Sequence, residues 1–94
     1  MKLFKPVDEK FKEIGFDKIS EDKYGARYER RDDEHNFTQA LALLHKQSGK
    51  HIVQSYDVNL MDHKLIGNTC VGLTMYETKL CLKKMKQMGW KMVK

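Results

Sequence analysis

Four histidines, two cysteines and several neighbouring carboxylates are the side chains here whose types could do chemistry. A metal site draws on closely spaced ligands, such as two cysteines two residues apart. His35, His45, His51 and His63 stand singly. His45 and His51 flank a prospective turn at Ser48-Gly49 and are the one pair able to converge. In the register favoured by apolar matching, however, His45 opposes Ile52 and His51 opposes Lys46, which sends the two rings to opposite faces. No metal and no other cofactor is expected. Cysteine catalysis needs a thiolate within reach of a base. Cys70 falls in an apolar stretch and Cys81 on the apolar side of a helical pattern, where thiols act as small hydrophobes. Asp32-Asp33-Glu34 and Glu21-Asp22 lie in charged runs, so both acids of each pair are expected to stay solvated rather than split their pKa values. Ser48-Gly49-Lys50 is only a turn, since neither G-x-x-x-x-G-K-[ST] nor G-x-G-x-x-G occurs. No residue is assigned a catalytic role.

One arrangement does point to a ligand class. Lys79, Lys83 and Lys86 recur at i, i+4 and i+7, a basic stripe able to follow phosphates. Tyr24, Arg27 and Tyr28 are of the types that stack single-stranded RNA bases. The segment KYGARY nevertheless departs from the RNP1 pattern, and its tyrosines are expected in the core. Charge follows the stripe. Residues 1–63 hold 11 basic and 12 acidic side chains, net −1, whereas residues 64–94 hold seven lysines and one acid, Glu77, net +6.

These groups must be held by a chain of 94 residues, enough for one small domain over 1–94. The apolar share of 40%, with 18 basic against 13 acidic residues, excludes a single-sign disordered chain. No apolar run approaches ~18 residues and the N-terminus is charged, so neither a membrane span nor a signal peptide is expected, and the location expected is cytoplasmic. So small a chain buries only roughly 60–65% of its unfolded surface, which makes a homodimer the expected form.

Pro6, then Asp8 and Glu9, open a helix whose apolar stripe is Val7, Phe11 and Ile14; Gly15 ends it and Phe16 folds back. Tyr24, Ala26 and Tyr28 alternate as a strand, paired with residues 16–20, and residues 30–35 read as an exposed loop. Residues 37–45 have helical propensity but precede Ser48-Gly49 and a strand-like run, so a hairpin is preferred. Its register sets Leu41 and Leu43 on one face with Ile52, Tyr56 and Val58. Residues 57–67 read as loop and residues 68–73 as a buried strand. Thr74-Met75-Tyr76-Glu77 has the form of a capping box. The helix it opens carries Met75, Thr78, Cys81, Leu82, Met85 and Met88 on one side and the three lysines on the other. FKEIGF and MKQMGW share the same helix-stop pattern.

SGKHIVQSYD and VGLTMYETKLCLKKMKQMGWK resemble small uncharacterised proteins carried on bacterial prophages and mobile elements, over residues 10–91. The resemblance implies an α+β domain and a bacterial setting, and brings no activity with it. The fold expected is therefore α+β: an antiparallel sheet of four to five strands packed by an N-terminal and a C-terminal helix. Its core is expected to join Phe11, Ile14, Leu41, Leu43, Ile52, Tyr56, Cys81, Met85 and Met88. The function expected is a non-catalytic accessory protein, a protein-binding or regulatory module. The alternative is nucleic-acid binding through Lys79, Lys83 and Lys86.

Overall fold

A computed structural model describes residues 6–62 and 70–93. In chain order the elements are α1 (Val7–Glu13), β1 (Asp17–Asp22), β2 (Gly25–Asp32), β3 (Phe37–Leu44), β4 (Ile52–Asp57), α2 (Val58–Asp62) and α3 (Met75–Gln87). The strands form one antiparallel sheet in the order β1-β2-β3-β4. Phe11 of α1 and Leu80 and Cys81 of α3 meet Ala26, Tyr28, Leu41 and Leu43 on one face of it. The chain thus adopts the expected α+β class, with four strands in the sheet among the described residues.

Local chemistry accounts for the helix ends. After α1, Phe16 N–H donates to the Phe11 carbonyl (3.0 Å) and Gly15 N–H to that of Lys12 (2.9 Å). After α3, Trp90 N–H donates to Met85 (3.0 Å) and Gly89 N–H to Lys86 (3.0 Å). Gly15 and Gly89 carry the positive φ this stop requires, 97° and 83°. The FKEIGF/MKQMGW likeness is this shared device. At the start of α3 the Thr74 hydroxyl accepts from Glu77 N–H (3.1 Å) while the Glu77 carboxylate accepts from Thr74 N–H (2.9 Å).

Residues 37–44 are strand despite their helical propensity. β3 is paired on both sides, and five consecutive residues, Gln39 to Leu43, are buried. A central strand covered on both faces reads as a continuous apolar run, which alone resembles a buried helix.

Several expectations are corrected. The β3–β4 register differs by one residue: Leu43 faces Val53 and Leu41 faces Ser55. The loop is centred on Ser48 and closed by Gly49 N–H donating to the Lys46 carbonyl (2.9 Å), so it spans an odd number of residues. A one-residue slip turns over the whole strand. Val53 therefore joins the core, while Ile52 (38% exposed) and Tyr56 point to the opposite face. Phe16, Ala26, Tyr28 and Leu80 complete the core. Residues 30–32 continue β2 and the loop begins only after them. The segment after β4 starts with α2, because the Asp57 carboxylate accepts from Asn59 N–H (2.9 Å) and Leu60 N–H (3.2 Å) as a helix cap does. Of the strand expected over 68–73, the first two residues lie outside the described ones, as does His63. Cys70 is exposed and makes a single antiparallel bridge to Tyr56.

The register carries a stability prediction. Leu41→Ala, in the core, should cost about 2–5 kcal/mol, whereas Ile52→Ala should cost about 1 kcal/mol or less. Urea unfolding midpoints of the two variants check this, and equal losses would restore the register expected from apolar matching.

Candidate functional site

The groups singled out in the sequence are mostly engaged in holding the fold. Cys81 is buried, and burial, followed by the neighbouring Glu77 carboxylate, pushes its thiol up to about 12. A thiol so placed is a core side chain and not a nucleophile. Asp32 is the acceptor for His35 N–H (3.0 Å) and pairs with the His35 ring (3.1 Å), which holds its carboxyl below the ordinary value. Glu21, expected to be an ordinary solvated acid, instead receives the Lys84 ammonium at 2.7 Å. Arg27 and Tyr28 alternate across β2, so Tyr28 is fully buried while Arg27 bonds Glu29 (2.9 Å) and the Tyr56 hydroxyl (2.9 Å) on the other face. Tyr24 lies in the β1–β2 turn. No stacking platform is assembled from the three.

The register correction also reunites the histidines. His45 and His51 now oppose each other with ring centroids 4.6 Å apart, contrary to the expected separation, and Trp90 lies 5.1 and 5.0 Å from them. His51 Nδ1 accepts from Lys46 N–H (3.0 Å). Among the described residues no group of three or more metal-ligating side chains occurs.

The buried face of α3 is Glu77, Leu80, Cys81 and Lys84, with Met85 and Met88 partly buried beside it. This face is turned about 100°, one residue step, from the expected apolar side. Charge pairing accounts for the turn. Lys84 is 3% exposed, and its ammonium reaches Asp8 of α1 (3.2 Å) and Glu21 of β1 (2.7 Å). Lys18 contacts the same two carboxylates at 3.0 Å each, and the Tyr28 hydroxyl donates to Asp8 (2.6 Å). Burial works to raise the Asp8 carboxyl, but hydrogen bonds from Tyr28, Lys18 and Lys84 outweigh it and hold the group below its ordinary value. Glu21 is lowered by Lys84 first and Lys18 second. Two turns earlier on the same face, Glu77 pairs with Arg30 of β2 at 2.9 Å.

With that face turned inward, Met75 (91% exposed) and Leu82 (48%) are left outside. They do not stand on a convex surface. With Leu73, Met85, Trp90 and Val93 they line an open groove of about 1140 Å³ between α3, the segment 90–93 and the loop at 49–51. Val93 lies over Gly49 so closely that no Cβ would fit there. Lys50, Lys79, Lys83, Lys86 and Lys91 also line it, and none of the described lining residues is acidic. The three lysines of the basic stripe thus flank an apolar floor. Sequence reasoning missed that floor because it placed Met75 and Leu82 on the same side of the helix as the core residues Cys81, Met85 and Met88. The available signal was Leu80, an apolar residue of α3 that lies off that side, next to Cys81.

Comparison with known proteins finds no matching family model, no matching curated protein and no matching solved structure.

The ion cluster sets a pH dependence. The folded-state pKa values of Asp8 and Glu21 are depressed, so the stability they supply is full above the ordinary carboxylate values and is lost as pH falls through the lower folded ones. Lys84→Met should cost about 3 kcal/mol at neutral pH, the low end of the range for breaking a buried pair, because both carboxylates are one-third exposed. It should also flatten the acid limb without abolishing it, since Lys18 remains. Urea midpoints followed from neutral to acidic pH test both points; an acid limb as steep as that of the unmodified protein would contradict the assignment.

Proposed function

We propose that this chain is a non-catalytic accessory protein, a protein-binding module that receives an apolar segment of a partner in the groove along α3. The observation that carries the reading is the exposure of Met75, Leu82 and Met92 (85%) together in one concavity. Scattered apolar residues are normal on a surface, whereas a contiguous apolar groove is where proteins dock. A homodimer belongs to the same reading, on the strength of the small core. Strand pairing offers it little: β1 is charged and bulged, and at the outer edge of β4 Val71 N–H donates to the Ser55 carbonyl (2.9 Å). The bacterial, mobile-element and cytoplasmic setting rests on sequence and resemblance. Among the described residues no helix is long and apolar enough to cross a membrane.

Nucleic-acid binding is the second reading, favoured by one observation. Lys79, Lys83 and Lys86 are all exposed, and Lys10 and then Lys79 push the Lys83 ammonium below its ordinary value, the mark of like charges crowded together. The apolar floor between the lysines counts against it, because a phosphate backbone gains nothing from Met75 or Leu82.

Phage-displayed random peptides selected on the full chain separate the readings, with Trp90, the single tryptophan, as reporter. Selected peptides should shift Trp90 emission and bind Leu82→Glu at least tenfold more weakly, while that variant unfolds at the same urea concentration as the parent. Oligonucleotides give the other arm. Affinity with a slope of about −2 to −3 in log K against log salt, lost when all three lysines become glutamine, would establish the second reading. No groove-dependent peptide together with such a slope would overturn the first.

A further inference from the structure

Resting on the groove reading, we infer that the segment received is an acidic amphipathic helix of another protein, with its apolar side on Met75, Leu82 and Trp90 and its carboxylates on Lys79, Lys83 and Lys86.

Charge is the first argument. Five lysines and no acid appear among the described lining residues, so an incoming basic or neutral segment leaves the rim uncompensated. Lys83 is already disfavoured as a cation by Lys10 and Lys79. Carboxylates placed beside it relieve that repulsion, and complementary charge also speeds encounter. The apolar floor fixes the rest of the chemistry, since an anion without apolar side chains would leave Met75 and Leu82 wet.

Backbone accounting gives the conformation. The groove is walled by a helix, by the segment 90–93 and by the loop at 49–51, none of which is a strand with a free ladder to share. An extended guest would bury N–H and C=O groups against apolar side chains without partners, at about 1–3 kcal/mol for each such group. A helical guest satisfies its own backbone. α3 has 13 residues and is about 20 Å long, so a guest of roughly four turns can lie beside it in the helix-in-groove manner.

The chain cannot readily supply this guest itself. Residues 1–5 and 63–69 contain lysines and no acidic residue. Of the acidic stretches, Asp8 is already bound to Lys84 and Phe11 of the same helix is fully buried. The 32–34 acids stand without an apolar neighbour before Phe37. A bilayer is a poorer fit, because membrane-binding helices present a convex apolar face whereas these side chains line a hollow.

Three synthetic peptides of about four helical turns test the inference on the full chain. All carry leucine at i, i+3, i+4 and i+7. One has glutamates on the flanks, one has glutamines there, and one is the acidic peptide with a central proline that breaks the helix. The acidic peptide should gain helical circular dichroism on binding, shift Trp90 emission, and bind at least tenfold tighter than either relative. Its affinity should drop at least tenfold in the Lys79→Gln, Lys83→Gln, Lys86→Gln triple variant, and fall as salt rises from about 0.05 to about 0.5 M. An acidic peptide no tighter than its glutamine relative overturns the charge assignment, and a proline peptide that binds as well overturns the helix. In either case groove-dependent binders from the random selection would leave the groove reading standing. Two results also overturn the inference: preferential binding to phosphatidylcholine–phosphatidylglycerol vesicles or oligonucleotides, and self-association that Leu82→Glu abolishes while the acidic peptide fails to compete.

Discussion

A lysine ammonium withdrawn from water must be met by carboxylates, and the position of Lys84 consequently fixes several elements at once. Its two partners come from different parts of the chain, Asp8 on α1 and Glu21 on β1, and Tyr28 of β2 donates to Asp8 from beneath. Removing an ion from water costs several kcal/mol even after relaxation, so the cluster contributes little net stability by itself. It constrains geometry instead. Any arrangement of α3 that brings Lys84 to the surface leaves two carboxylates with only Lys18 to compensate them.

Arg30 performs the same service on the sheet side. Its guanidinium bonds Glu77 (2.9 Å), the Gln39 side chain (2.9 Å) and the Ile14 carbonyl (3.1 Å), and lies 4.2 Å over the Phe16 ring. Gln39 passes the chain on to the Ser55 hydroxyl (2.8 Å). A polar ladder thus runs from α3 across β2, β3 and β4 beneath the helices, and among the described residues no buried side-chain polar atom lacks a partner. Satisfied networks of this kind specify one arrangement where apolar contacts alone would accept several. An arrangement of α3 that turned Met75 and Leu82 inward is such a competitor.

What the sequence revealed follows from this division. The helix ends were legible because glycine followed by an apolar residue, and Thr-x-x-Glu, encode their own hydrogen bonds locally. The sheet was legible because residues 37–44 could be explained together with residues 52–57 as one hairpin. The face of α3 was not, since it is set by charges 63 and 76 positions away in sequence, Glu21 and Asp8. Nor was the register, since Val53 and Ile52 are equally apolar and only the odd loop length decides between them. Reading Glu21 as a solvated acid hid its partner, the core lysine Lys84.

These two illegible features are the ones that make the groove. Rotation of α3 puts Met75 and Leu82 outside, next to lysines that would otherwise border nothing apolar. The hairpin register brings His45 and His51 together, and the helix stop at Gly89 swings Trp90 against both rings, which fixes the far wall and the segment that follows it. A chain selected only for a small stable core would gain by burying Met75 and Leu82 in place of Lys84 and Glu77. That this one keeps the ions in and the apolar side chains out is the strongest physical reason to look for the occupant of that groove.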